Sequence, residues 1–120
     1  MTKKTFGTSH VPLSPAVRAG DFVYVSGQVP VVDGKIVGSD VAEQTRQVLD
    51  NVKAVLAQAG CTMADVVKSN VILKHAADFA EFNKAYAAYF PSEPPARTTL
   101  EANLMIDILV EIDVIAYKPL

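Results

Sequence analysis

The sequence predicts an α+β domain in two layers, with two helices lying on one face of a mixed β-sheet. Three observations carry this prediction. Two segments repeat apolar residues at three- and four-residue steps. Several short runs are rich in β-branched and aromatic residues. The runs and helices are ordered β-β-β-α-β-α-β-β, with no linker, repeat or low-complexity stretch between them. At 120 residues the chain has the length of one domain, read here as residues 1–120.

The first strand signal is FVYVSGQ, Phe22 to Gln28, preceded by Gly20 and Asp21, with Ala16 to Ala19 as its candidate hairpin partner. Asp33-Gly34 between apolar flanks marks a tight turn within Val31 to Val37. The clearest helix follows. Val41, Thr45, Val48, Leu49, Val52, Val55, Leu56 and Ala59 form its buried stripe, and Gln44, Arg46, Gln47, Asp50 and Lys53 its polar face. Ser39 is the expected N-cap, and Gly60 stands where a C-terminal glycine ends a helix.

Val66 to Lys74 reads as the next strand and Ala77 to Phe90 as the second helix. Phe79, Phe82, Tyr86 and Tyr89 make a stripe assigned to the core, and Pro91 stops the helix. Arg97 to Ala102 and Ile108 to Tyr117 read as a closing hairpin. Ile108, Val110, Ile112, Val114 and Ala116 alternate and are expected to face the helices. The second sheet face is left open and half apolar, so a further subunit is expected to cover it.

Composition excludes several function classes. Half the residues are hydrophobic and the net charge is -2. No basic block is present, which disfavours nucleic-acid binding. No apolar run approaches the roughly 18 residues that span a bilayer, and no secretory h-region is visible at the start. Cys61 is the single cysteine, so no intrachain disulfide forms, and a cytoplasmic location is expected. Neither zinc-ligand spacing nor a glycine-rich phosphate loop occurs.

The closing hairpin concentrates the candidate chemistry. With its strands paired, Arg97 falls opposite Asp113 and Thr99 opposite Glu111, gathering a guanidinium, a hydroxyl and carboxylates away from the helices. Arg97 offers a planar fork for a substrate carboxylate, and Glu111 or Asp113 a group to activate water. An ordinary cross-strand ion pair is the alternative. Ser26-Gly27 ends a strand where a bulge, or the close approach of another group, calls for glycine. Asn83 lies beside the aromatic stripe, and sequence context alone makes it a surface amide.

The segments VYVSGQVPV, QTRQVLDNVKAVLAQAG, FAEFNKAYAAYF, PARTTLEA and VEIDVIA, in this order and spacing, resemble the Rid (reactive intermediate deaminase, YjgF) family from about Val11 to Ala116. The resemblance implies a chorismate-mutase-like fold in a homotrimer, with sites in clefts between subunits. It implies hydrolysis of enamine and imine acids to 2-oxo acids and ammonia, without metal or organic cofactor. By position, Arg97 resembles the arginine that grips the substrate carboxylate and Glu111 the acid that positions water. Ser26, Gly27 and Asn83 resemble residues lining the cleft. Two positions depart from the best-known members. Pro15-Ala16 stands where they carry a proline and tyrosine, so the pocket near Ala16 is expected to be wider. Thr99 stands where they carry a cysteine and is the candidate substrate contact there. A non-catalytic trimer that binds small carboxylates is the competing reading.

Overall fold

Three antiparallel strands open the sheet. In the computed structural model, which describes residues 2–120, β1 (Lys4–Phe6) pairs with β2 (Ala16–Ala19), and β2 pairs with β3 (Phe22–Gln28). A small hairpin follows, of β4 (Val31–Val32) and β5 (Lys35–Ile36). Its turn residues Asp33 and Gly34 have φ of 51° and 77°, the geometry that an Asp-Gly pair adopts most readily.

Helix α1 (Val41–Gln58) buries the stripe that its periodicity predicts. Its N-cap is Asp40, not Ser39. The Asp40 carboxylate accepts from the Glu43 amide at 2.8 Å, while the Ser39 hydroxyl donates to the Glu43 side chain. Gln44, expected on the polar face, is buried. It accepts from the Leu109 amide at 2.8 Å and donates to the Gly38 carbonyl, tying the helix start to the segment that enters the last strand. At the other end Gly60 takes φ 77°. The Cys61 amide reaches back to the Leu56 carbonyl and the Gly60 amide to that of Ala57, closing the last turn.

Strand β6 (Val66–Leu73) leads through a 3-10 turn, Ala76–Asp78, into α2 (Phe79–Ala87), shorter than the segment 77–90 expected for it. Strands β7 (Ala96–Glu101) and β8 (Val110–Tyr117) complete a six-stranded sheet ordered β1-β2-β3-β8-β6-β7.

The expected closing hairpin does not form. β7 pairs with β6 in parallel, and β8 passes to the centre, antiparallel to both β3 and β6. The connection 102–109 crosses the end of β6, where the Ala102 amide bonds the Leu73 carbonyl and the Lys74 amide that of Leu109. The physical reason lies in β8 itself. Its residues Val110, Ile112, Val114 and Ala116 are at most 1% exposed, and only a central strand places so long an apolar row wholly under the helices. The other sheet face is uncovered. Phe22, Tyr24, Leu100 and Tyr117 are each 40–49% exposed, and the Phe22 and Tyr117 rings meet at 5.2 Å.

Candidate functional site

Arg97 sits on β7, the edge strand. Its parallel partner is Ser69, and Thr99 is partnered by Val71. Ser69 and Val71 are buried beneath the helices, so Arg97 and Thr99 lie on the helix side of the sheet. The Arg97 guanidinium rests over three rings of α2: Phe79 at 5.6 Å, Phe82 at 5.3 Å and Tyr86 at 4.9 Å from the centroids. Neither ion pair among the described residues involves it. Arg97 is therefore not the partner of Asp113 or Glu111. The Phe79 end of the aromatic stripe is also not core, being 46% exposed beside the arginine.

Asn83 belongs to the same side. Expected from its context as a surface amide, it is half-buried on α2, and its side-chain oxygen is buried with no hydrogen-bond partner among the described residues. An orphan acceptor of this kind is costly unless a ligand or water completes it.

Glu111 and Asp113 occupy the opposite face. Glu111 stands beside Ile72 and Asp113 beside Asn70, whose amide donates to the Asp113 carboxylate at 2.9 Å. The cluster expected from a hairpin is thus divided: Arg97 and Thr99 on one face of the sheet, Glu111 and Asp113 on the other. One residue of register accounts for this. Arg97 shares the rung of Ser69, and Ser69 faces Val114 instead of Asp113.

The Glu111 carboxylate lies against Gly27. A Cβ on Gly27 would overlap that carboxylate and come within 3.0 Å of its carbon. The β3–β8 register also slips between Val25 and Gln28. Both reasons for a glycine in this strand hold at once, a bulge and a close approach. Burial, and then the neighbouring Asp113 charge, push the Glu111 carboxyl above the usual carboxylate range. The Ser26 hydroxyl donates to the Ser14 carbonyl at 2.6 Å and the Ser26 amide to that of Pro15, so Ser26 pins the preceding loop.

Leu13, Pro15, Ser26, Gly27 and Gln28, together with Val55 and Gln58 of α1, line a cleft under this loop, and Glu111 is not among its lining residues. Leu13 is the functional candidate that sequence reasoning missed. Ala16 is fully buried opposite Val25, whereas Leu13 is 50% exposed, lines this cleft and follows Pro12, an equally available proline. Cys61 is buried, its thiol pushed up by burial and then by Asp65, more than Arg18 and Lys118 lower it. His10 and His75 are exposed. Among the described residues no three His, Cys, Asp or Glu gather in a way that could hold a metal ion.

The endoribonuclease L-PSP family profile matches residues 5–118. A RutC family protein of Pyrococcus horikoshii is 47% identical over 110 residues, which span 89% of this chain and 87% of that protein. The 3-aminoacrylate deaminase RutC of Acinetobacter baylyi is 39% identical over 109 residues, covering 88% and 86%. Among solved structures, the E. coli YjgF gene product matches with a TM-score of 0.89 at 38% identity, over 95% of this chain and 98% of that one.

Proposed function

The chain belongs to the endoribonuclease L-PSP family, that of the Rid/YjgF and RutC proteins, and on that premise we propose that it hydrolyses 2-imino and enamine acids to 2-oxo acids and ammonia. Relatives named as deaminases support an enzymatic role of the Rid type. The observation that carries the reading is the Arg97 guanidinium, half-buried, stacked on rings and without a carboxylate partner among the described residues. A guanidinium in that state is ready for the two parallel hydrogen bonds of a substrate carboxylate.

Arg97 and Glu111 lie on opposite faces of one sheet, so a single chain does not unite them. A homotrimer supplies the missing half: the helix-side edge of one subunit meets the open face of the next, covering Phe22, Tyr24, Leu100 and Tyr117. Contact between two different faces is heterologous, and a threefold rotation closes such contacts into a ring.

In the proposed reaction Arg97 fixes the carboxylate, and Glu111 of the adjoining subunit holds a water near the imine carbon. The water adds to the C=N carbon as Glu111 takes its proton. Glu111 returns that proton to the nitrogen, giving the carbinolamine. The carbinolamine hydroxyl then passes its own proton to the nitrogen by way of the carboxylate as C=O forms, the C–N bond breaks, and ammonia leaves the 2-oxo acid. Asn83 and Thr99 supply polar contacts on the Arg97 side, Ser26 and Gly27 the wall beside Glu111, and Leu13 an apolar contact for the substrate side chain. The family description as an endoribonuclease finds little support in a chain of net charge -2 without a basic stripe.

A coupled assay tests the reading. A pyridoxal enzyme generates imines from a panel of amino acids, and ammonia release is followed with and without this protein. Acceleration is expected. Arg97→Ala and Arg97→Lys should each lower kcat/KM roughly 30-fold or more, the cost of a lost charge-assisted pair in a sheltered cleft. Tight 2-oxo acid binding with no acceleration for any imine would leave the non-catalytic, carboxylate-binding reading. A folded Arg97→Ala trimer working at the wild-type rate would remove the clamp.

A further inference from the structure

A half-buried arginine is ordinarily held by an acid, and Arg97 is not. Its guanidinium instead lies over Phe79, Phe82 and Tyr86 at 4.9–5.6 Å, within the range where a ring face attracts a cation. The distinction has a chemical consequence. A carboxylate partner would occupy the N–H edge of the fork and neutralise its charge. Rings engage the flat face and leave the edge and the charge for another group.

The nearest of these rings is itself fixed. The Tyr86 hydroxyl meets the Ser69 hydroxyl at 2.6 Å, and Ser69 is fully buried. Ser69 is also the strand partner of Arg97, so one rung of the sheet carries both the arginine and the anchor of the ring beneath it. Phe82 and Phe90 flank Tyr86 at 5.3 and 4.8 Å and leave that ring little freedom to turn. Phe79, 46% exposed, stands at the outer side of the platform, where burial does not explain a large apolar ring.

We propose that Tyr86, locked by Ser69, and Phe79 are positioning residues that hold the Arg97 guanidinium by its face and so keep its hydrogen-bonding edge free for a substrate carboxylate. The proposal rests on the carboxylate-binding reading of Arg97 and assigns its orientation to a second set of side chains.

Binding of pyruvate, with pyruvamide as its uncharged counterpart, tests this alongside deamination kinetics. Phe79→Leu, Tyr86→Phe and Ser69→Ala should each weaken pyruvate binding and raise KM about three- to tenfold, with kcat within about twofold. Pyruvamide binding should not change. Tyr86→Phe and Ser69→Ala remove the same hydrogen bond, so the double variant should lose no more than either single one.

A packing role alone would lower the melting temperature and leave the pyruvate dissociation constant unmoved, and that result overturns the proposal. Equal weakening of pyruvate and pyruvamide overturns it too. If Tyr86→Phe does not assemble, Phe79→Leu decides, because its half-exposed site does not hold the core. Arg97→Ala separates the two levels. Lost pyruvate binding there with unchanged binding in the ring variants refutes only the positioning role, whereas retained binding in Arg97→Ala refutes the carboxylate reading as well.

Discussion

Gly27 and Glu111 are so close that the smallest side chain at position 27 must displace the carboxylate. Gly27→Ala should therefore keep the fold and lower deamination about tenfold or more, since a misplaced water-holding group costs on that order. Ammonia release and circular dichroism on the same preparation check both halves. Glu111 also carries a pH prediction with a definite sign. Burial and Asp113 raise its carboxyl, so the folded chain keeps this proton to a higher pH than the unfolded chain does. The stabilisation from the neutral acid is complete below the ordinary carboxylate value and is lost as pH rises through the folded-state value. Glu111→Gln should accordingly melt above the parent protein at neutral and alkaline pH, and the two should converge in acid. A lower melting point for Glu111→Gln at neutral pH would show that the carboxylate is not strained by burial. The proposed reaction needs the ionised form, so its acid limb should lie above the usual carboxylate range and move down in Asp113→Asn. Arg97, Glu111 and Gly27 were all legible as candidates, because a fork, an acid and a glycine within strands each have few uses. Their faces were not legible. Alternation fixes which residues of one strand agree, but only the partner strand decides which side they share, and Ser69 stands opposite Val114 where the hairpin reading required Asp113.

At the scale of elements, α1 was readable almost throughout, because a one-sided stripe, an acidic first turn and a terminal glycine agree on the same helix. The misplaced cap is a difference of one residue between two good capping types. Asp40 caps through its own carboxylate, while Ser39 reaches only the Glu43 side chain. Asp40→Ala should cost about 1 kcal/mol, and Ser39→Ala a few tenths. In a domain of this size the first lowers the melting temperature by roughly 4–6 °C. Equal effects of the two substitutions would contradict the assignment. The parallel β6–α2–β7 unit was not legible, because a short connection between β7 and β8 looks the same whether it turns back or steps across one intervening strand. The apolar row of β8 contained the missing information. A strand wholly buried on one side by two helices belongs at the centre of a sheet, and β8 lies between β3 and β6.

At the scale of the whole molecule, the two faces of the sheet set the strongest demand on assembly. The Arg97 side is completed by α2, and the Glu111 side is open and lined by Phe22, Tyr24 and Tyr117. The proposed ring places the first side of one subunit against the second side of its neighbour, so each site takes Arg97 from one chain and Glu111 from another. Light scattering should give three times the 12.9 kDa chain mass, and the mass of a single chain would end the proposal. Mixed trimers make a sharper test. Arg97→Ala and Glu111→Gln trimers should each be nearly inactive alone. Unfolded together and refolded, they form mixed trimers in which one interface joins an intact Arg97 to an intact Glu111. Random assembly then restores about a quarter of the wild-type activity, since three in four trimers are mixed and each has one working site of three. If Arg97 and Glu111 acted from the same chain, every subunit in the mixture would lack one of them and no activity would return. The recovered fraction thus reports on the placement of the site between subunits independently of which imine acid the enzyme prefers.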